Sequence, residues 1–275
     1  MDIPRFSVMG NPIAHSLSPP IHGYFAEQTQ RALIYDKTLV DEESFEACVL
    51  AFFSQGGRGL NVTQPFKERA FLMSDVRTAR CMEAQSANTL WMSDGYLNAD
   101  NTDGVGLLRD LACHMTLNGA RVLLMGAGGA ARGVLGPLIA ANAQVTLTNR
   151  TAEKARCLQR AFGDATHWVA WDAHHQGYDL ILNATSMSLQ GGSVDVPLRW
   201  LDAHPLCYDL AYHVSGVTPF VAWARAAGCV AHDGFGMLVE QAAEAFFIWH
   251  GIPAPSTHRI QLKKACIAAA LDKVS

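Results

Sequence analysis

Lys67 lies in GLNVTQPFKE, where a strand pattern runs into a helix begun by Pro65. A cation in a helix's first turn opposes the macrodipole. That placement disfavours an ordinary solvated lysine and suits one that takes up and releases a proton. Asn61 and Thr63 alternate with Val62, so both face one side of the strand end. Upstream, Ser18-Pro19 reads as a helix start, with serine as the N-cap and proline first in the helix. Capping accounts for Ser18 but not for Ser16. Two hydroxyls at a helix N-terminus offer a pocket for a carboxylate. Asp103, in DNTDG, opens a further helix, where it complements the dipole or joins a polar series. Asn88 and Asn101 add two amides to this polar series. Gln241 shares a helix face with Leu238 and Ala245, so it either satisfies a buried hydrogen bond or looks into a cleft.

A second constellation points to a dinucleotide. VLLMGAGGAARG fits GxGxxA at Gly126, Gly128 and Ala131, between a strand pattern and a helix pattern. Gly126 permits the tight turn, Gly128 lets a pyrophosphate approach the backbone, and Ala131 lets the helix sit close. The helix N-terminus attracts the phosphates. The next strand ends in Thr148-Asn149-Arg150-Thr151, with no acid to bind a ribose 2′-hydroxyl. Arg150 offers charge and donor geometry suited to a 2′-phosphate, so the expected cofactor is NADP(H); otherwise it is a surface arginine near a helix start.

The elements that must position these residues read as α/β. Strands are expected at Phe6–Met9, Ala32–Val40 and Gly59–Val62, with helices between, as in βαβ units. Ser93-Asp94-Gly95 reads as a hairpin turn. A helix from Asp103 carries Leu108, Leu111, Ala112 and Met115 at helical spacing. Arg121–Met125 and Gln144–Thr148 flank the glycine turn and its helix. Further strands are expected at Thr166–Ala170, Tyr178–Leu182, Leu206–Leu210 and Cys229–Ala231. Further helices are expected at Ala152–Phe162, Pro219–Ala226, Met237–His250 and Ser256–Leu271.

Composition narrows the class. The chain has 275 residues, 49% hydrophobic and 17% charged, which suggests two domains and excludes disorder. A net charge of −4 argues against a nucleic-acid partner. No apolar run is long enough to span a bilayer, and the N-terminus lacks a secretory pattern. The seven cysteines are scattered and never form CxxC, so a reducing, cytoplasmic setting is expected. His174-His175 has no ligand-spaced neighbours and reads as a solvated loop, so no metal is expected.

GNPIAHSLSP, GLNVTQPFK, ANTL, DNTDGVG, GAGGAARGV, TNRT, NATS, DLAYHVSGVTPF and DGFGMLVEQAAEAF, in this order, resemble the motifs of the shikimate dehydrogenase family. The resemblance implies reversible reduction of 3-dehydroshikimate to shikimate with NADPH, in aromatic amino-acid biosynthesis. It makes Ser16 and Ser18 carboxylate ligands and Lys67 and Asp103 the catalytic pair. Substrate would also meet Asn61, Thr63, Asn88, Tyr212 and Gln241. The cofactor would meet Gly126, Ala127, Gly128, Gly129, Ala130, Asn149, Arg150, Thr151, Thr185, Ser186, Leu210, Gly234 and Met237. Two departures stand out: Met187–Gly192 where many members have glycine after NATS, and Phe235 where leucine is common.

The implied architecture is a substrate domain at 1–103 plus 237–275 and a Rossmann cofactor domain at 104–236, with the active site between them. Gly104, Gly106, Gly234 and Gly236 flank the crossings, as hinges or as helix-boundary glycines. Small molecules are the expected partners of a monomer or homodimer. Three rivals remain: a dual quinate/shikimate dehydrogenase, another two-domain NADP enzyme such as one acting on a folate, and a non-catalytic NADPH-binding sensor. Ser18 and Arg150 lean toward shikimate and NADP. The folate reading lacks a use for Ser16–Ser18 with Asn61–Lys67, and a sensor has no use for the Lys67–Asp103 pair.

Overall fold

The computed structural model describes residues 2–173, 177–185, 187, 196–213, 216–257, 262, 263 and 266. The chain divides into two compact units, Met1–Gly106 with Val239–Ser275, and Leu107–Leu238.

The first unit carries β1 (Arg5–Gly10), α1 (Ser18–Gln28), β2 (Ile34–Leu39), α2 (Phe45–Ser54), β3 (Gly57–Val62), α3 (Lys67–Met73), β4 (Val76–Arg77), α4 (Ala79–Ala84), β5 (Thr89–Ser93) and β6 (Tyr96–Asp100). Its sheet runs β2-β1-β3-β5-β6-β4. The pairs β1–β2, β1–β3 and β4–β6 are parallel, whereas β5 is antiparallel to both β3 and β6. The β5–β6 hairpin turns at Asp94 and Gly95 with φ of 53° and 82°, the doubly positive geometry that matches strand twist. Phe45, Leu60, Phe66 and Leu90 are fully buried within one core.

The second unit carries β7 (Arg121–Met125), α6 (Gly129–Ala140), β8 (Gln144–Thr148), α7 (Ala152–Phe162), β9 (Thr166–Trp168), β10 (Leu180–Asn183), β11 (Leu206–Asp209), α8 (Pro219–Ala226) and β12 (Ala231–His232). Every pairing is parallel, in the order β12-β11-β10-β7-β8-β9. This is the Rossmann order, with the switch point between β7 and β10. The runs RVLLM and LILN are buried on both faces, as parallel strands under two helical layers must be. Two helices, α5 (Asp103–Leu111) and α9 (Phe235–His250), contain the points where the chain passes from one unit to the other.

Several boundaries differ from expectation. Helix α1 begins at Ser18 itself; Leu17 is the N-cap position, and Ser16 Oγ accepts the Ser18 N–H at 3.3 Å. Helix α3 begins at Lys67 rather than Pro65, because Thr63–Phe66 closes a turn of its own. Met115 lies beyond α5. β4 and α4 had no sequence signal: one is two residues long, and the other is a six-residue helix whose visible device is Thr78, which accepts the Cys81 N–H. Gly104 and Gly106 are residues of α5. Gly234 and Gly236 have packing reasons, since a Cβ would strike Leu210 O and the Asp110 carboxylate respectively. His174-His175, Ser186, most of 187–192 and most of the expected helix Ser256–Leu271 lie outside the described residues.

His22 on α1 is fully buried in an aromatic cluster with Phe25, Tyr35, Phe246 and Trp249. Burial, with the nearby His250, pushes its pKa down from 6.5 to about 3. Between those values the unfolded chain binds the proton and the folded chain does not. Its contribution is therefore fully present above pH 6.5 and is lost as pH falls toward 3. At pH 5 the loss is about 2 kcal/mol. His22→Phe should flatten the decline in melting temperature between pH 7 and pH 5. An equally steep decline in the variant would place the acid sensitivity elsewhere.

Candidate active site

In the first unit, β3, α3, β5, α5 and α9 bring five of the expected substrate residues into one hydrogen-bonded network. Lys67, the first residue of α3, donates from Nζ to Asp103 Oδ2 at 2.6 Å. The lysine side chain is 20% exposed and the carboxylate 8%. Asp103 opens α5, and its N–H is capped by Asn101 Oδ1 at 3.1 Å. Asn101 Nδ2 in turn donates to Ser86, so this amide builds the turn that aims Asp103.

Asn88 is the hub. Its Nδ2 donates to Asp103 Oδ1 at 2.8 Å and to Thr102 Oγ1 at 2.9 Å, with Gln241 Oε1 at 3.3 Å. Its Oδ1 accepts from Thr102 N and Thr89 Oγ1, both at 2.9 Å. One carboxylate oxygen of Asp103 therefore faces the lysine, and the other is held by Asn88. Asn61, on β3, donates to Asn88 O and Thr89 Oγ1. Ser16 and Ser18 place their hydroxyls 3.3 Å apart at the start of α1, both buried. Thr63 stands just past β3 with its methyl group against Gly10.

The carboxylate that anchors the turn before Asp103 belongs to Asp100, buried at the end of β6. It accepts from Arg80 at 2.6 and 2.7 Å, from Thr78 Oγ1 at 2.6 Å and from Asn101 N at 2.7 Å. Arg80 also donates to Glu244 on α9 at 2.9 Å. Burial disfavours the arginine charge, but its bonds to Asp100 and then Glu244 more than offset this and raise its pKa. Thr102, Thr89 and Arg80 went unassigned in the sequence. Thr102 at least lies within the DNTDG motif; Arg80 had no local signal.

In the second unit, the glycine turn leaves a helix N-terminus open. Gly126 has φ +114°, and a Cβ there would lie 2.8 Å from Ala184 O, so only glycine fits. Gly128 is the exposed N-cap of α6 and supplies no side-chain cap. A Cβ on Gly128 or Gly129 would meet nothing within 4 Å, which leaves the first-turn N–H groups open to an anion. Ala127 and Ala130 are half-buried beside them, and Ala131 is fully buried beneath the helix. At the end of β8, Asn149 Nδ2 donates to Thr151 O at 2.9 Å. The exposed Arg150 makes no hydrogen bond or ion pair among the described residues. Open helix N–H groups beside an uncommitted guanidinium fit a dinucleotide with an added phosphate.

The remaining cofactor candidates lie at the ends of neighbouring strands. Asn183 Oδ1 accepts from Thr185 N at 3.1 Å and from Thr185 Oγ1 at 2.6 Å. Asn183 Nδ2 donates to Asp209 Oδ1 at 3.0 Å, so the turns after β10 and β11 share one buried carboxylate. Leu210 is half-buried after β11 and carries the carbonyl against Gly234. Met237 N donates to Tyr208 Oη at 3.3 Å. Tyr212, expected on the substrate side, is half-buried in the segment after β11 and belongs to the second unit. Phe235 is buried at the start of α9, with its N–H on Asp233 Oδ1. Among the described residues, no group of His, Cys, Asp or Glu is arranged to hold a metal, and no helix is long and apolar enough to cross a membrane.

Family profiles match three stretches of the chain. They are the shikimate dehydrogenase substrate binding domain over residues 8–90, shikimate/quinate 5-dehydrogenase over 110–190, and the shikimate 5′-dehydrogenase C-terminal domain over 234–258. A curated relative from Legionella pneumophila, named shikimate dehydrogenase (NADP(+)), is 52% identical over 257 residues, 93% of this chain and 96% of the relative. A Thermus thermophilus shikimate 5-dehydrogenase solved with NADP(H) and shikimate superposes with a TM-score of 0.88 at 30% identity, covering 96% of this chain and all of that one. The Ael1 enzyme of Pseudomonas putida superposes with a TM-score of 0.86 at 41% identity, covering 94% of this chain and 98% of that one.

Proposed function

The chain belongs to the shikimate dehydrogenase family, and we propose that it catalyses the reversible, NADP(H)-dependent interconversion of 3-dehydroshikimate and shikimate in aromatic amino-acid biosynthesis. The observation that carries the chemistry is the Lys67–Asp103 pair, 2.6 Å apart and steered by Asn88. NADPH, when bound, would supply a hydride to the ketone carbon. As that carbon is reduced, its oxygen gains charge and needs a proton. Lys67 donates one from its ammonium, and in the oxidation direction its neutral amine takes it back. Asp103 directs the lysine and keeps an acceptor oxygen for a substrate hydroxyl. Ser16 and Ser18 hold the substrate carboxylate, with Thr63, Tyr212 and Gln241 as further contacts, so that the reacting carbon is held in one orientation.

Gly126–Ala130 would hold the pyrophosphate. Asn149, Arg150 and Thr151 would hold the 2′-phosphate, and Thr185, Ser186, Leu210, Gly234 and Met237 the nicotinamide half. In this reading, residues 1–103 with 237–275 take the substrate and 104–236 the cofactor. A cytoplasmic location suits seven free cysteines and a biosynthetic reaction, with a monomer or homodimer as the working form.

The test is oxidation of shikimate beside quinate with NADP, and with NAD as control, followed at the reduced-nicotinamide band. NADP-dependent turnover of shikimate is expected; no turnover would overturn the reading, and equal turnover of quinate would widen it to dual use. Arg150→Ala should raise KM for NADP about ten- to a hundredfold, as loss of a charge-assisted phosphate contact does, and leave KM for NAD within about twofold. An unchanged KM for NADP would remove Arg150 from the site.

A further inference from the structure

Tyr35 carries no role in the reading above. It lies on the edge strand β2, separated from β3 by β1. Its ring nevertheless reaches across β1, and its Oη donates to Asn61 Oδ1 at 2.6 Å. The ring is stacked on His22, with centroids 4.4 Å apart and planes at 13°. Neither nitrogen of His22 makes a hydrogen bond of normal geometry among the described residues; the Asn61 amide lies close enough to favour the charged form, but burial outweighs it and keeps the imidazole neutral. It serves as a flat plate, itself wedged against Phe25 and Trp249. The phenol therefore has one direction in which to point.

The consequence lies in the hydrogen-bond count at Asn61. Its two Nδ2 hydrogens go to Asn88 O at 3.0 Å and Thr89 Oγ1 at 3.2 Å. Its Oδ1 takes the Tyr35 proton. A flipped amide would set its oxygen against the Asn88 carbonyl, so the tyrosine and the carbonyl enforce the same orientation. The amide then keeps one acceptor lone pair and no donor.

We propose that Tyr35, braced on His22, is a positioning residue that locks Asn61 as an acceptor, so that the substrate site selects a ligand presenting a hydroxyl donor there. This rests on the reading of Asn61 as a substrate contact. A ligand carrying an ether or a bare carbon at that position leaves the buried acceptor unsatisfied and is rejected.

A double-mutant cycle tests it, with kcat and KM measured for Asn61→Ala, Tyr35→Phe and the double variant. Asn61→Ala should raise KM for shikimate about tenfold. Tyr35→Phe keeps the stacked ring and should raise that KM about three- to tenfold, with kcat and KM for NADP within about twofold. The double variant should be no worse than Asn61→Ala alone, because the tyrosine acts through the amide. A second readout uses the mono-O-methyl ethers of shikimate as competitive inhibitors. The ether that wild-type enzyme rejects most should lose at least half of that discrimination in Tyr35→Phe, whose amide oxygen is no longer fixed by the phenol. A KM unchanged in Asn61→Ala would sink the substrate-contact reading itself. A raised KM there with no change in Tyr35→Phe, effects that multiply in the double variant, or an unaltered ether profile would overturn the role of Tyr35 alone.

Discussion

Lys67→Ala should lower kcat by about a hundredfold or more while KM for shikimate changes only a few fold. The lysine is the cation placed against Asp103, at 2.6 Å, and in the proposed mechanism it moves the proton at the reacting oxygen. On the proposed reading, removing it leaves Ser16, Ser18 and Asn61 to hold the substrate, so binding should survive while proton transfer must come from water. Asp103→Asn should also lower kcat, since an amide neither directs the ammonium by charge nor accepts from a substrate hydroxyl in the same way. Stopped-flow measurement of a single turnover separates this loss from slow product release. An unchanged single-turnover rate in Lys67→Ala would take the lysine out of the chemistry.

Arg80→Leu should destabilise the first unit by about 3–5 kcal/mol, because it orphans a buried carboxylate. Asp100 is 4% exposed in its side chain, and Arg80 is 28% exposed while bridging it to Glu244. Thr78 and Asn101 N would still donate to Asp100, but neither supplies charge. The melting temperature of that unit should fall by roughly 10 °C. Arg80→Leu combined with Asp100→Asn should recover part of the loss, since the second change removes the unpaired charge. If the double variant were as unstable as the sum of the singles, the ion pair would not be the source. Because Asp100 holds the turn that aims Asp103, the single variant should also lose kcat at temperatures where it remains folded.

What was legible in the sequence had local physical causes. The strand at Arg121–Met125 showed as the apolar run RVLLM before a glycine turn and a helix, because a strand buried on both faces loses any alternation. The glycine turn showed because φ +114° at Gly126 and the Ala184 carbonyl beside it tolerate no side chain. The hairpin at Asp94-Gly95 and the start of α8 at Pro219 showed because turn and helix-start chemistry acts within a few residues. Boundaries slipped where a turn competed with a helix for the same residues, as at Pro65, and short elements such as β4 were invisible because two residues carry no period.

The sequence by itself therefore determined the class of the fold, the cofactor turn and the residue types available for proton transfer. The tertiary structure decided their partners. Lys67 meets Asp103 across 36 positions, Asn88 meets Gln241 across 153, and Tyr35 meets Asn61 over an intervening strand. Such pairs depend on strand order and on which face each side chain leaves, and nothing in the few residues around either partner encodes that. A buried amide can satisfy its four hydrogen-bond positions in many ways. Only the assembled neighbours select one, and that selection makes Asn88 a hub and leaves Asn61 an acceptor.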